Sequence, residues 1–318
     1  MDKDEPGDRA DRGPPLTDVV AVVVTFHPGA DLGGNLEALR RQVDAVLVID
    51  NGSADLASVE RAALAAGCHV VANRDNIGIA AALNQAADLA RAQGYAWLAT
   101  FDQDSRVPDG ALAGLLAVYA AHPDRERIAI MAMSHRDRAT GRDYQRPSDV
   151  LTENPNWRSV RTTISSGSLV RTEALDRVGR FDERLFIDGV DHDFCLRCRR
   201  AGLLVVESGE QVMDHSLGAV SLHRALGRTI ACTNHSPARR YYITRNSLEL
   251  SARYAAFDWL WSLRNAVHLV DASLSTLTFE ERRGEKAKAM IQGAWHFATR
   301  RFGPRENTRL PAAYGSGD

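Results

Sequence analysis

The sequence predicts an α/β fold, a doubly wound and mostly parallel sheet flanked by helices. Three observations point to it. Asp18–Phe26 (DVVAVVVTF) is a continuous β-branched run, as expected of a strand buried on both faces. Strand-like and helix-like segments then alternate as β-α-β-α-β-α-β, an order that right-handed crossovers wind into one sheet. Finally, three strands end in polar residues, and such sheets bind ligands at the carboxyl ends of their strands.

The elements follow in order. After the first strand come the loop HPGADLGG and an amphipathic segment, NLEALRRQV. A second buried strand, AVLVID (45–50), ends in Asn51-Gly52-Ser53, and a helix is expected over 54–66. HVVAN (69–73) is a short strand. The Ala-rich stretch 77–94 reads as a helix stopped by Gly94. AWLATF (96–101) is the fourth strand and runs into Asp102-Gln103-Asp104. The second half is less regular. Residues 134–162 read as a polar loop region, 163–170 as a strand and 171–179 as a short helix. Acids precede an amphipathic helix within 181–202, 203–208 is a further strand, and 239–254 is a basic helix. The division expected is a disordered, acidic and Pro/Gly-rich start (1–17), a catalytic-type domain (18–253), and a C-terminal helical extension and tail (254–318).

Composition is that of an ordinary globular protein: 318 residues, 44% hydrophobic and 25% charged, with net charge −2. Nothing global points to nucleic acid. Charge is uneven, however. Residues 223–253 carry six Arg and one Glu, and residues 280–309 carry eight Lys/Arg and four Glu. Such a surface meets phosphate or an anionic membrane, or is a solvated helix face. The four cysteines form no disulfide framework, and Cys195 and Cys198, three apart on a helix, read as small buried hydrophobes. No signal peptide is visible, and no apolar run reaches about 18 residues, so the chain is expected to be cytoplasmic or peripheral to a membrane.

Asp102 and Asp104 carry the chemistry. Two carboxylates one residue apart repel each other unless something positive lies between them. Hard cations such as Mg²⁺ or Mn²⁺ take oxygen ligands, often one or two carboxylates plus substrate phosphates. A D-x-D at a strand end is such a partial site. It also serves merely to cap the next turn.

Taken together, VVVTFHP, AVLVIDNGS, NRDNIGIAAALNQA, WLATFDQDS, ISSGSLV, LFIDGVDHDFCLR, MDHSLG and RRYYITRN resemble the family 2 glycosyltransferases of the Rossmann-like GT-A fold. They are similar in particular to bacterial rhamnosyltransferases of O-antigen and other cell-surface polysaccharide synthesis. The likeness covers about residues 19–254. It implies a nucleotide-sugar donor, with dTDP-rhamnose as its sugar form, a divalent cation (Mg²⁺ or Mn²⁺), a glycan or lipid-linked acceptor, and an inverting displacement. It makes Asp102 and Asp104 the metal–diphosphate motif. It makes Asp50 the partner of the pyrimidine or its ribose, with Thr25 beginning the same pocket. Asn51, Asn76, Gly78 and Asn84 fall in the donor-side motifs. Asn51 and Ser53 serve equally well as helix caps.

In the same likeness Asp191 of Val190-Asp191-His192-Asp193 is the catalytic base. Val190 stands where the family has Glu, and Asp188 replaces that charge from two residues away. Asp193 reads as a cap on the following helix, and His192 as a packed histidine. His215 of MDHSLG is a candidate metal ligand or a structural histidine. Ser166 and Gly167 lie where the family lines the donor-sugar pocket. Arg240 and Arg245 are donor-diphosphate candidates, or braces for the tail.

Three other classes fit less well. A haloacid-dehalogenase-like phosphatase wants its D-x-D after the first strand, and here that strand ends in TFHP. A non-catalytic nucleotide-sugar-binding scaffold would lack the base. A Rossmann dehydrogenase would carry GxGxxG after its first strand. A lipid-linked acceptor with no spanning segment implies peripheral contact. The expected means is residues 255–303, with Trp259, Trp261, Leu263 and Trp295 among Arg264, Arg282, Arg283, Lys286, Lys288, Arg300 and Arg301.

Overall fold

The computed structural model describes residues 16–137, 143, 147–215, 221–225 and 228–305, and the statements below concern these. The disorder expected at the N-terminus falls outside them, apart from Leu16 and Thr17, which open the first strand.

The first half builds as its hydrophobic pattern requires. β1 (Leu16–Thr25), α1 (Leu32–Arg40), β2 (Val43–Asp50), α2 (Leu56–Ala65), β3 (His69–Ala72), α3 (Ile79–Ala92) and β4 (Trp97–Asp102) alternate without exception. β1 lies between β2 and β4, parallel to both. Successive side chains of a strand point to opposite faces, so a run with no polar residues feeds two cores at once. Val20, Val22 and Val24 pack with Leu83, Ala86 and Ala90 of α3. Val19, Ala21 and Val23 pack with Leu36 and Leu39 of α1 on the other side.

The second half departs from its expected reading. An unassigned helix, α4 (Ala111–Ala121), and strand, β5 (Ile128–Asp137), follow β4. Residues 134–162, expected as loop, hold the end of β5 and an antiparallel pair, β6 (Val150–Asn154) and β7 (Trp157–Val160). β6 is almost wholly exposed at the sheet edge, so it lacks the apolar alternation that marks a strand. β8 (Ser168–Arg171) is shorter than expected, because 163–167 form an irregular turn. It runs antiparallel between β4 and β5. α5 (Thr172–Val178), α6 (Val190–Arg200) and β9 (Leu204–His215) follow, and β9 is parallel to β5. The nine-stranded order is β3-β2-β1-β4-β8-β5-β9-β7-β6, a central sheet with helices on both faces.

A hairpin, β10 (Ser221–Ala225) and β11 (Arg228–Cys232), leads into α7 (Pro237–Tyr254), α8 (Trp259–Phe279) and α9 (Arg283–Ala298). Leu250, Tyr254 and Trp261 join the core beneath α6, so α7 and the start of α8 are part of the packed body. Asp258 caps α8 by accepting the Trp261 N–H at 3.1 Å and pairs with Arg199 at 2.9 Å and with Arg161. Burial disfavours its charge, but the Trp261 N–H and the two guanidinium groups outweigh that and hold its carboxyl below the usual range. Cys195 and Cys198 are buried free thiols, and burial pushes Cys198 up to about 12. Among the described residues no helix is long and apolar enough to cross a membrane.

Candidate active site

Parallel register brings the polar strand ends together. Thr25 lies opposite Asp50, and Val24 opposite Asp102. Three strands thus deliver their last residues to one edge, where the chain must turn and backbone groups are free to meet a ligand.

Asp50 is 1% exposed, and all its acceptor capacity is used locally. Oδ1 accepts the Thr25 hydroxyl at 2.9 Å and the Ser53 hydroxyl at 2.5 Å. Oδ2 accepts the N–H groups of Gly52 and Ser53 at 3.1 and 2.8 Å. A carboxylate holding four donors organises the 51–53 turn, and a pyrimidine N–H would have to displace one of them. The geometry therefore favours Asp50, with Thr25, as the scaffold of this pocket over the base-contacting role implied for it.

Asn51 is likewise spoken for. Its Nδ2 donates to Gly78 O at 3.2 Å, and its Oδ1 accepts from Asn73 at 3.1 Å. Asn76 Oδ1 accepts the Gly78 N–H at 2.9 Å, shaping the turn into α3. Gly78 has φ +87°, and a Cβ there would stand 2.6 Å from Phe186 O, so only glycine fits. Asn84 is 1% exposed and exchanges hydrogen bonds with the Phe181 backbone at 2.9 and 3.0 Å, and donates to Glu183 at 2.7 Å. These contacts dock α3 against residues 181–186.

The D-x-D turn is built differently. Its middle residue, Gln103, accepts the Phe26 N–H at 2.8 Å through its side chain and the Asn35 amide at 3.1 Å through its backbone. It ties the β1 and β4 loops together, a role that spacing alone did not reveal. Ser166, 1% exposed, accepts the Asp102 N–H at 3.2 Å and bonds the Ser105 hydroxyl at 2.6 Å. Gly167 has φ +77°, and a Cβ there would meet Met213 and His135 at 3.2 and 3.4 Å. The Ser166-Gly167 turn thus props the acidic turn from beneath. Asp102 is half-buried and Asp104 exposed. The backbone is held while the outer carboxylate stays open to solvent. Among the described residues, no group of three or more His, Cys, Asp or Glu is placed to hold a metal. The backbone of His215 ends β9 opposite Asp137, and its side chain lies outside the described residues.

Asp191 sits in the first turn of α6, partly exposed, with Oδ1 accepting the His192 N–H at 2.8 Å. α6 feeds β9, which is parallel to β5, so α6 begins at the carboxyl edge that also carries the acidic turn. Asp193, expected as a cap, is instead the centre of a buried ion cluster. It is fully buried, with Arg197 at 2.8 Å, Arg253 at 2.6 Å and the Tyr254 hydroxyl at 2.7 Å. His192 faces Trp261 with ring centroids 6.2 Å apart, as a packed histidine would. Asp188 is ion-paired to Arg239 at 3.0 Å. Burial pushes its carboxyl up, and the Arg239 charge opposes that rise.

Arg240 and Arg245 lie on α7, with their guanidinium groups engaged by other parts of the chain. Arg240 is buried against Glu280, which Lys286 also meets at 2.7 Å. Arg245 is fully buried, its guanidinium donating to the carbonyls of Arg184, Leu185 and Gly303 at 3.1, 3.0 and 2.7 Å. Of the two alternatives the sequence left open, bracing is the one this geometry favours.

Comparison with known proteins agrees with this architecture. Residues 20–179 match the model of glycosyl transferase family 2. The chain is 32% identical over 266 residues to the dTDP-rhamnosyl transferase RfbF of Shigella flexneri, covering 79% of this chain and 85% of that protein. Among solved structures it resembles S. aureus TarS (residues 1–349) in complex with UDP-GlcNAc, with TM-score 0.51 and 17% identity over 89% of this chain and 81% of that one. It also resembles GalNAc-T7 with UDP, GalNAc and Mn²⁺, with TM-score 0.51 and 12% identity, covering 89% of this chain and 57% of that one. At such identities the structural likeness speaks for the fold alone, and the family match and the sequence relative speak for the activity. The chain belongs to glycosyl transferase family 2 and is a glycosyltransferase of the GT-A fold.

Proposed function

We propose that this enzyme transfers L-rhamnose from dTDP-rhamnose, with inversion, to a glycan or lipid-linked acceptor in cell-surface polysaccharide synthesis. One observation carries the reading. An open acidic turn, Asp102 and Asp104, and a separate carboxylate, Asp191, stand at the same carboxyl edge of the sheet. Likeness to RfbF supports the donor.

The donor set suits Mg²⁺ or Mn²⁺, since it consists of carboxylate oxygens, one half-buried and one exposed. Asp102 and Asp104 would hold such an ion, which leaves positions for the donor's phosphate oxygens. The GalNAc-T7 structure contains Mn²⁺ beside UDP and GalNAc, consistent with this use. Bound there, the ion supplies Lewis-acid stabilisation of the departing diphosphate. The chain's own residues do the rest. The Asp50 and Gln103 networks hold the two turns that receive the nucleotide diphosphate. Asp191 takes the proton of the acceptor hydroxyl as its oxygen bonds to the anomeric carbon and the carbon–diphosphate bond breaks. One displacement from the opposite face inverts the centre.

The C-terminal helices support peripheral contact with an acceptor-bearing membrane in modified form. Trp261 is buried, Lys286 is buried against Glu280, and Arg264 donates to Ser148 O, so these leave the expected anchor. What remains is an apolar stripe on α8, Trp259, Leu263, Val267, Val270 and Leu274, each more than half exposed, with Ile291 and Trp295 on α9. Such a face suits an interfacial helix.

A diphosphate-release assay across dTDP-rhamnose, dTDP-glucose and UDP-N-acetylglucosamine, with and without chelator, tests the reading. Preference for dTDP-rhamnose and loss of turnover in chelator are expected. Preference for another donor overturns the sugar, and full turnover in excess chelator overturns the metal. Sedimentation with anionic vesicles tests the contact, which pelleting by the intact chain supports and its absence removes.

A further inference from the structure

The segment that delivers Asp191 is held in an unfavourable backbone path. Phe186 (φ +67°), Asp188 (φ +63°) and Gly189 (φ +82°) lie in the left-handed region within four residues. Non-glycine residues stay there only where surrounding contacts over-determine them. Three sets of contacts do so. From α3, the N–H groups of Ile79 and Ala80 donate to Phe186 O at 2.8 and 3.5 Å. From the start of α7, Arg239 pairs with Asp188. From the middle of α7, the Asn246 side-chain amide donates to three carbonyls of the segment, Leu185 at 2.9 Å, Ile187 at 2.8 Å and Asp188 at 2.8 Å.

Asn246 is 1% exposed, and its amide has a determined orientation. Its Oδ1 accepts Arg245 Nε at 2.9 Å, so its two N–H groups face the loop. Arg245 is fixed in turn by Tyr241, Tyr242 and Phe302, whose ring centroids lie 5.3, 5.1 and 5.3 Å from its guanidinium carbon. It adds its own bonds to the carbonyls of Arg184 and Leu185. The Asp191 carboxylate accepts the N–H of its own neighbour, His192. The path of residues 184–189 therefore sets where that carboxylate stands.

We propose that Asn246, oriented by Arg245, is a positioning residue for transfer: it holds residues 185–188 in the one path that places Asp191 against the acceptor hydroxyl. This rests on the reading of Asp191 as the base. It assigns the Arg-Asn pair of α7 a role in the reaction step, distinct from donor binding.

The test is a double-mutant cycle on the full-length enzyme. Asn246→Asp removes both N–H donors at constant shape, and Asn246→Ser removes them without adding charge. Each is made alone and on Asp191→Asn, with kcat, donor Kd and thermal midpoint measured. A small displacement of a reacting group costs about 10²-fold, so kcat should fall by about that factor in a folded variant. Donor Kd should hold within about twofold, because a base acts only in the displacement. On Asp191→Asn the same change should lower kcat no further, since the residue it positions is gone. An unchanged kcat in folded Asn246→Ser overturns the proposal, as does an equal loss in both backgrounds, which a merely structural role would produce. If Asp191→Asn alone keeps wild-type kcat, the base assignment fails and the positioning role fails with it. If Asp191→Asn loses kcat and Asn246→Ser does not, only the positioning role fails.

Discussion

The acidic turn and the loop that leads into Asp191 are held to the sheet by different means. The turn around Asp102 and Asp104 continues a strand whose register is set by main-chain pairing, and its props, Gln103 and Ser166, lie in that turn or in the adjoining strand connection. The loop before Asp191 has no strand beneath it. It is suspended between the N-terminus of α3 and the side chains of α7, contacts about 60 to 110 residues away in sequence. A site part on a strand end inherits its position from the sheet. One on an irregular loop has a position only as good as the distant side chains that hold it.

Substitutions can break or sharpen that contrast. The largest effect is expected at Asp104, which is exposed and bears no fold contacts that its loss would disturb. Asp104→Asn should lower kcat by about 10³-fold, the size of several kcal/mol of lost charge stabilisation, with the unfolding midpoint unmoved. A matching loss of stability would mean the turn is structural after all.

Asp193, only two residues from Asp191, should behave in the opposite way. Asp193→Ala leaves Arg197 and Arg253 facing a buried gap and should cost about 3 kcal/mol in denaturant unfolding, as breaking a buried ion pair does. A near-neutral result would show that Asp182 and Glu249, which also pair with Arg253, suffice to hold it. Asp191→Asn should sit between them, with kcat down about 10²-fold, donor affinity kept and stability kept. Equal losses of donor affinity would move Asp191 from the acceptor side to the donor side.

The smallest effect concerns pH. His235, at the start of α7, is pushed down to about 2 by burial first and then by the charges of Arg239, Arg240 and Lys286. Its folded pKa lies below the unfolded value of 6.5, so below pH 6.5 the unfolded chain binds the extra proton. Stability should therefore fall as pH drops below 6.5, by at most about 1.4 kcal/mol per unit from this one group. His235→Asn should flatten that slope in unfolding measured from pH 7 to pH 5. An unchanged slope would place the acid sensitivity elsewhere, for instance at His122, which burial also pushes below its ordinary value. Asp182 would not account for it: burial works against its charge, but Arg184 and Arg253 hold it at about 2, so its contribution is lost only below its unfolded value of 3.8, outside the range measured.

What could be read from residues alone follows from the range of the interactions involved. β1 to β4 were legible because each declares itself within a few residues, by apolar runs that must be buried on both faces. The acidic turn drew notice because two carboxylates one residue apart repel each other, and Asp191 was singled out by the family likeness alone, since acids at both places also serve as caps. β6 was hidden because an exposed edge strand has no reason to be apolar, whereas β5 opens with Ile128–Met133, a buried apolar run as legible as the others, and only its polar end reads as loop. Arg245 and Asn84 carry the right chemistry for a nucleotide diphosphate, and nothing nearby in sequence distinguishes a ligand contact from a bond to a backbone carbonyl about 60 to 100 positions away.

The sequence by itself determined the layered α/β architecture, and it pointed to the carboxyl edge and its carboxylates as the place to look for a site. Those depend on hydrophobic period and on residue type, which are local properties. Only the tertiary structure decided which polar side chains face the pocket and which are consumed in holding it. A buried donor or acceptor must find a partner, and which partner it finds is settled by the packing of distant segments and not by its neighbours in the chain.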